Sequence, residues 1–235
     1  VMSLQLSGEM VAALIDHAVL GPAQGSRDLE DGCAVALKLG TASVCCKPSW
    51  LGRCAELLDG SAVLPSTVIG FPHGAHSRTV KLAEAKQALA DGGLELDMVV
   101  NVGRVRDGAW DEVRDEIRSV LDETRSAGGA LKVIFETCFL ELDHIRQLCG
   151  ICSELEVDFV KTSTGFGTAG ATVEHVSLMR SECPEQVGVK ASGGIRDLET
   201  LLAMVEAGAT RIGASGSESL VASAHALFGQ GSSCE

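Results

Sequence analysis

Short runs of β-branched and other apolar residues alternate along this chain with longer stretches in which apolar positions recur every three or four residues. That alternation is the pattern of βαβ units, in which a buried parallel strand is followed by an amphipathic helix that covers it. Eight runs read as strands, at residues 13–17, 42–46, 62–69, 95–100, 131–135, 157–161, 187–190 and 210–213. Residues 78–91 are rich in helix formers and end at Asp91-Gly92-Gly93, where glycine closes the last turn. Residues 110–127 carry Trp110, Val113, Ile117, Val120 and Leu121 on one stripe, before Gly128-Gly129. Residues 197–207 start at Asp197, an expected N-cap, and run to Gly208. Eight such units predict one α/β domain over residues 1–235, a closed (β/α)8 barrel with a short helix before its first strand. Strand order is invisible in sequence, so an open doubly wound sheet remains the alternative fold. The tail from about residue 229, with Gly231-Ser232-Ser233, reads as frayed.

Buried parallel strands should be almost purely apolar, and several of these are not. In Leu131-Lys132-Val133-Ile134-Phe135-Glu136, one face holds Leu131, Val133 and Phe135, the other Lys132, Ile134 and Glu136. In Leu96-Asp97-Met98-Val99-Val100-Asn101, the apolar set opposes Asp97, Val99 and Asn101; in Val187-Gly188-Val189-Lys190, the valines oppose Gly188 and Lys190. The simplest geometry packs the apolar faces on helices and points Asp97, Lys132 and Lys190 into the barrel. The run Val157-Asp158-Phe159-Val160-Lys161 fits less well, because Asp158 falls on the helix side.

A lysine inside a strand is costly unless it is paired or neutral. One could snorkel to the surface, but Lys132, Lys161 and Lys190 all stand near the C-terminal ends of strands, where catalytic groups of such barrels are found. Clustered lysines suit carbonyl chemistry. A lysine attacks a carbonyl only as the free amine, and an ordinary pKa of about 10.4 leaves little amine at neutral pH. Desolvation and a second ammonium nearby both favour the neutral form. The imine that follows is an electron sink, so a carbon next to it can lose a proton and become a nucleophile, and Asp97 offers a carboxylate for proton transfer. This is the logic of a class I, Schiff-base aldolase. Spacing alone leaves open whether Lys161 or Lys190 forms the imine.

Two loops add an anion site. Ala191-Ser192-Gly193-Gly194 follows the seventh strand and Gly213-Ala214-Ser215 closes the eighth, where barrels of this type hold phosphate on backbone N–H groups. Thr164-Gly165, after Lys161, stands ready to complete it. The phosphate set is therefore Gly165, Gly193, Gly194, Gly213 and Ser215.

A formal net charge of -13 argues against a nucleic-acid partner but not against a small anionic substrate in a locally basic pocket. Nine cysteines scattered through apolar runs do not read as a disulfide framework. Cys149-x-x-Cys152 lies on an apolar helix face and His73-x-x-His76 in a loop; each stands alone, and no metal is expected at either. No run of about 18 apolar residues exists to cross a membrane. No basic and apolar leader precedes the first element, which makes the cytoplasm the expected location.

Beside these readings, an ordered set of motifs resembles the deoxyribose-phosphate aldolase family: Ile15-Asp16-His17, Val44-Cys45, Gly70-Phe71-Pro72-His73-Gly74, Leu96-Asp97-Met98-Val99, Leu131 to Thr137, Lys161-Thr162-Ser163-Thr164-Gly165, Val189 to Gly194, and Arg211 to Ser215. They run from about residue 15 to 217, nearly the whole chain. The resemblance implies a carbon–carbon lyase that reversibly cleaves 2-deoxy-D-ribose 5-phosphate to acetaldehyde and D-glyceraldehyde 3-phosphate, without a metal or organic cofactor. It assigns the Schiff base to Lys161, and proton relay to Lys190 and Asp97. It gives Asp16 and Lys132 the charge network and substrate hydroxyls, Cys45 the acetaldehyde end, and Thr164 a place against substrate. The other readings are a Schiff-base aldolase for another phosphosugar and a non-catalytic phosphosugar-binding barrel. The chain departs from the family at three points. It has no tyrosine, where many members end in one that aids proton transfer; Gly216 stands where some have a second phosphate-binding serine; and Phe166 stands where some have lysine. A homodimer is a further expectation, from the habit of barrel enzymes.

Overall fold

A computed structural model describes residues 6–229. The expected tail at Gly231-Ser232-Ser233 and the chain end at Glu235 lie outside the described residues. Eight parallel strands, β1 (Ile15–Val19), β2 (Ser43–Cys46), β3 (Leu64–Ile69), β4 (Glu95–Val99), β5 (Ala130–Ile134), β6 (Phe159–Lys161), β7 (Gly188–Ser192) and β8 (Arg211–Ala214), pair in chain order and close as β8 joins β1. The barrel is therefore closed, and the open-sheet alternative is excluded. Around it lie α1 (Gly8–Ala13), α2 (Ser26–Leu39), α3 (Leu51–Leu58), α4 (Arg78–Ala90), α5 (Val102–Arg106), α6 (Trp110–Ser126), α7 (Leu142–Glu154), α8 (Val173–Glu182), α9 (Leu198–Glu206) and α10 (Ser217–Phe228).

The local signals work as read. Asp197 caps α9, its carboxylate accepting from Thr200 N–H at 2.8 Å. Gly92 and Gly128, at φ +91° and +76°, turn the chain out of α4 and α6. The first strand is displaced from the expected 13–17 to Ile15–Val19, because Ala13 ends α1 and Leu14 caps it in helical geometry. The apolar run Ala12-Ala13-Leu14-Ile15 crosses from helix to strand without a glycine or proline, so no side chain marks the boundary.

The apolar core lies between barrel and helices. Leu96, Met98 and Val100 from the β4 segment, Leu131, Val133 and Phe135 from that of β5, and Val189 and Ala191 from β7 pack there with Ile117, Val120 and Leu121 of α6 and Ile145, Leu148, Cys149 and Cys152 of α7. Each such side chain contributes about 1.5–3 kcal/mol by leaving water. Cys149 and Cys152 thus act as apolar filler, while His73 and His76 are exposed in the loop after β3. Asp158 does lie on the helix side, and the structure accounts for it: its Oδ2 accepts from the Leu131 backbone N–H at 2.8 Å, holding the start of β5. With the apolar faces committed outward, alternation turns the polar residues inward.

Candidate active site

Register fixes which inward residues meet. Asp97 is level with Lys132 on β5, Lys161 with Lys190 on β7, and Lys190 with Arg211 on β8. Asp16 on β1 is level with Gly213. Interiors of such barrels are usually filled by branched apolar side chains; here the lumen holds a charged cluster. Asp16, Glu95, Asp97, Lys132, Lys161 and Lys190 are all at most 3% exposed.

Asp97 is the centre. Its Oδ2 accepts from Lys161 Nζ and from Lys190 Nζ, each at 2.6 Å, and its Oδ1 from Lys132 Nζ at 2.9 Å. Lys190 also donates to Asp16 Oδ2 at 2.5 Å. Lys132 reaches Glu95 Oε2 at 2.6 Å and Asp16 Oδ2 at 3.2 Å. Arg211 closes the lower layer, 2.6 Å from Asp16 Oδ1 and 3.0 Å from Glu95 Oε2, with its guanidinium 5.0 Å above the Phe159 ring. Glu95 and Arg211 were not singled out from the sequence as site residues. The signal was present, since Glu95 stands two positions before Asp97 and Arg211 two before Gly213, each on the inward face.

Four cationic side chains thus surround three carboxylates in a buried interior. The cluster balances when one lysine gives up its proton, and the weakest-held is Lys161. It has one carboxylate partner, Asp97, where Lys190 has two and Lys132 three. Burial pushes the Lys161 amine below the ordinary lysine range; Asp97 opposes this, and the Lys190 ammonium adds to it. Burial also pulls on Lys190 and Lys132, but Asp16 and Asp97 outweigh it at both, with Glu95 adding at Lys132, and both are raised. Burial is the largest influence on Asp97 and Asp16 too, yet the surrounding cations hold both carboxyls low. Of the two lysines that spacing left open, Lys161 is the one lowered and Lys190 the one raised. Desolvation is the larger cause and the neighbouring ammonium the smaller.

A cavity of about 380 Å³ opens above the cluster at the C-terminal end of the barrel. Lys161, Lys190, Asp16 and Cys45 line it, as do Thr164, Gly165, Gly193, Gly194, Gly213 and Ser215. Asp97 and Lys132 do not: both are wholly buried beneath it. Lys132, expected against substrate hydroxyls, has its ammonium held by Glu95, Asp97 and Asp16. Cys45 presents a thiol whose pKa is pushed up, by burial first and then by Asp97, so it stays protonated.

The loop geometry follows from small residues. Gly193 and Gly194 adopt φ +85° and +80°, and a Cβ on Gly170 would stand 2.0 Å from the Gly193 carbonyl oxygen, so the loops after β6 and β7 touch backbone to backbone. A Cβ on Gly213 would lie 2.7 Å from Ser192 Cβ and 3.3 Å from Lys190 Cε; its absence gives the lysine its path. The start of α10 is anchored where Ser217 Oγ lies 2.8 Å from His17 Nδ1. Phe166 stands half exposed at the rim, edge to face with Phe71 at 5.3 Å. Among the described residues, no group of three or more His, Cys, Asp or Glu is arranged to hold a metal ion, and no helix is long and apolar enough to cross a membrane.

Comparison with known proteins agrees with this geometry. Residues 10–225 match the model of the DeoC/LacD family aldolases. The chain is 49% identical over 219 residues to a deoxyribose-phosphate aldolase of Rhodopirellula baltica, covering 93% of this chain and 91% of that protein. It is 48% identical over 214 residues to deoxyribose-phosphate aldolase 1 of Bacillus licheniformis, covering 91% and 95%. Among solved structures it superposes on the deoxyribose phosphate aldolase of Aeropyrum pernix, described as a unique tetramer, with a TM-score of 0.88, 31% identity and coverage of 94% and 93%.

Proposed function

The chain belongs to the DeoC/LacD aldolase family, and from that premise we propose that it is a deoxyribose-phosphate aldolase working through a Schiff base on Lys161. The observation that carries the mechanism is the single-carboxylate environment of Lys161, buried beside two better-paired lysines at the floor of the cavity.

The neutral Lys161 amine adds to the C1 aldehyde of open-chain 2-deoxy-D-ribose 5-phosphate and loses water to give a protonated imine. A base removes the C3 hydroxyl proton, the C2–C3 bond breaks, and its electrons move into the iminium to leave an enamine. D-glyceraldehyde 3-phosphate departs. Protonation at C2 and hydrolysis then release acetaldehyde and regenerate the amine. Lys190 and Asp97, both hydrogen-bonded at the reacting nitrogen's side of the cluster, carry the protons. Asp16 and Cys45 bound the pocket, and Thr164 and Gly165 meet the substrate from the β6 loop. Phosphate rests on the backbone of Gly193, Gly194, Gly213 and Ser215, near the start of α10. The imine serves as electron sink, so the reaction as proposed calls on no cofactor.

The partner is a small phosphorylated sugar, in the cytoplasm, and the assembly we propose is a homodimer, which light scattering tests. Incubation with 2-deoxyribose 5-phosphate and borohydride should fix a two-carbon or sugar adduct on Lys161, and Lys161→Ala should abolish both adduct and glyceraldehyde 3-phosphate release. An adduct confined to another lysine overturns the assignment.

A further inference from the structure

Just outside the charged cluster stands a buried carboxylate that the mechanism above does not use. Glu136 follows β5 and is 3% exposed. Its backbone adopts φ 57°, ψ 61°, the left-handed region that residues with long side chains rarely enter. That conformation turns its side chain toward the β6 loop. Both oxygens meet Thr164: Oε1 accepts from the Thr164 N–H at 3.1 Å, with Cys138 Sγ a weaker donor to it at 4.0 Å, and Oε2 accepts from the Thr164 hydroxyl. None of the ion pairs among the described residues includes it; the pairs in the barrel belong to Asp16, Glu95 and Asp97. Thr164 Oγ1 in turn accepts from Phe166 N–H at 3.0 Å, so the carboxylate sets two successive turns of the loop between Lys161 and the glycines. The loop is built around this contact, since a Cβ on Gly167 would stand 2.8 Å from Cys138 Sγ and 3.2 Å from Glu136 Cδ.

A strained backbone at a buried acceptor is the kind of conformation that persists when it serves the site. We infer that Glu136 is a positioning residue for substrate, which fixes Thr164 and Gly165 against the Gly193–Gly194 turn so that the loop meets the phosphate end of the sugar. It touches no reacting atom. The inference rests on the reading above that these glycines hold phosphate. It separates binding from chemistry, because the Lys161–Asp97–Lys190 contacts do not pass through Glu136.

Steady-state kinetics on 2-deoxyribose 5-phosphate and on unphosphorylated 2-deoxyribose, with thermal melts, test it in wild type, Glu136→Gln, Glu136→Ala and Glu136→Gly. Glutamine can keep both contacts, accepting from the Thr164 N–H and donating to its hydroxyl oxygen, and should stay within ~3-fold of wild type on both sugars. Alanine and glycine should raise KM for the phosphorylated sugar by ~10-fold or more, with kcat and the unphosphorylated reaction changed by less than ~3-fold. Glycine relaxes the backbone, so its melting temperature should match or exceed that of alanine while KM stays high. Equal losses on both sugars, wild-type KM in the alanine variant, or failure of both truncations to fold would each overturn the inference. If wild type itself cleaves neither sugar, the proposed function falls instead. Calorimetric titration of inorganic phosphate into wild type and Glu136→Gly then decides the positioning role, with weaker binding by the variant supporting it and equal binding refuting it.

Discussion

Lys161 and Lys190 donate to the same oxygen, Asp97 Oδ2, each at 2.6 Å. Two ammonium groups sharing one acceptor repel each other, and the repulsion is resolved unequally. Lys190 has Asp16 as a second anchor; Lys161 has none. Asymmetric pairing thus shifts two chemically identical side chains in opposite directions, favouring the ammonium at Lys190 and the neutral amine at Lys161.

Lys190→Met tests that asymmetry. Burial still depresses the Lys161 amine, but the neighbouring positive charge is gone, so its pKa rises relative to wild type. The active form of the nucleophile is the deprotonated one, so the acid limb of kcat/KM against pH should move to higher pH. Loss of the relay should also lower kcat at neutral pH by about 10²-fold or more. An unmoved acid limb would detach Lys190 from tuning of the amine.

The lower layer should behave as a structural unit. Arg211→Met takes one of their cationic partners from the Glu95 and Asp16 carboxylates, and Glu95→Met removes a partner from Lys132 and from Arg211. Removing one partner of a buried pair costs about 3–5 kcal/mol. The double variant, with both charges gone, should lose clearly less than the sum of the singles in urea unfolding. Additive losses would mean that the two residues act independently.

Gly213→Ala should impair the site through volume alone. The new methyl meets Ser192 Cβ at 2.7 Å, and crowds Lys190 Cε at 3.3 Å. Overpacking of this kind costs about 1–3 kcal/mol, and displacement of Lys190 should lower kcat as well. Unchanged stability and turnover would show that the β7–β8 contact yields freely.

Acid should weaken the fold through Asp16. Its folded pKa lies well below the ordinary 3.8. A carboxyl held low in the folded state binds fewer protons there than in the unfolded chain, so stability rises with pH across that window. Its contribution is fully present above the unfolded value and is lost as pH falls from there through the folded pKa. Melting temperatures taken down through that range should fall more steeply in wild type than in Asp16→Asn, which starts lower. Parallel curves would remove Asp16 from the acid response.

Much of this was legible in the chain. Period-two alternation in Leu96–Asn101 and Leu131–Glu136 was enough to send Asp97 and Lys132 inward, because the apolar set can satisfy only the helix-facing side. The glycine loops after β6, β7 and β8 were legible for the same local reason, since only small residues allow that approach. The first strand was misplaced by two residues, where helix and strand share one apolar run. Glu136 passed as an ordinary strand-end polar residue, because a left-handed backbone at a non-glycine position leaves no mark in composition.

The amino-acid order alone therefore determined the eight strand–helix units, the inward lysines and the small-residue loops, all of which follow from local periodicity and side-chain size. Tertiary structure decided how many carboxylates each lysine meets. Lys161 meets Asp97 across 64 positions, Lys190 meets Asp16 across 174, and Arg211 meets Asp16 across 195. Which amine is left with a single carboxylate depends on distances between strands, and closure of the barrel is what sets them.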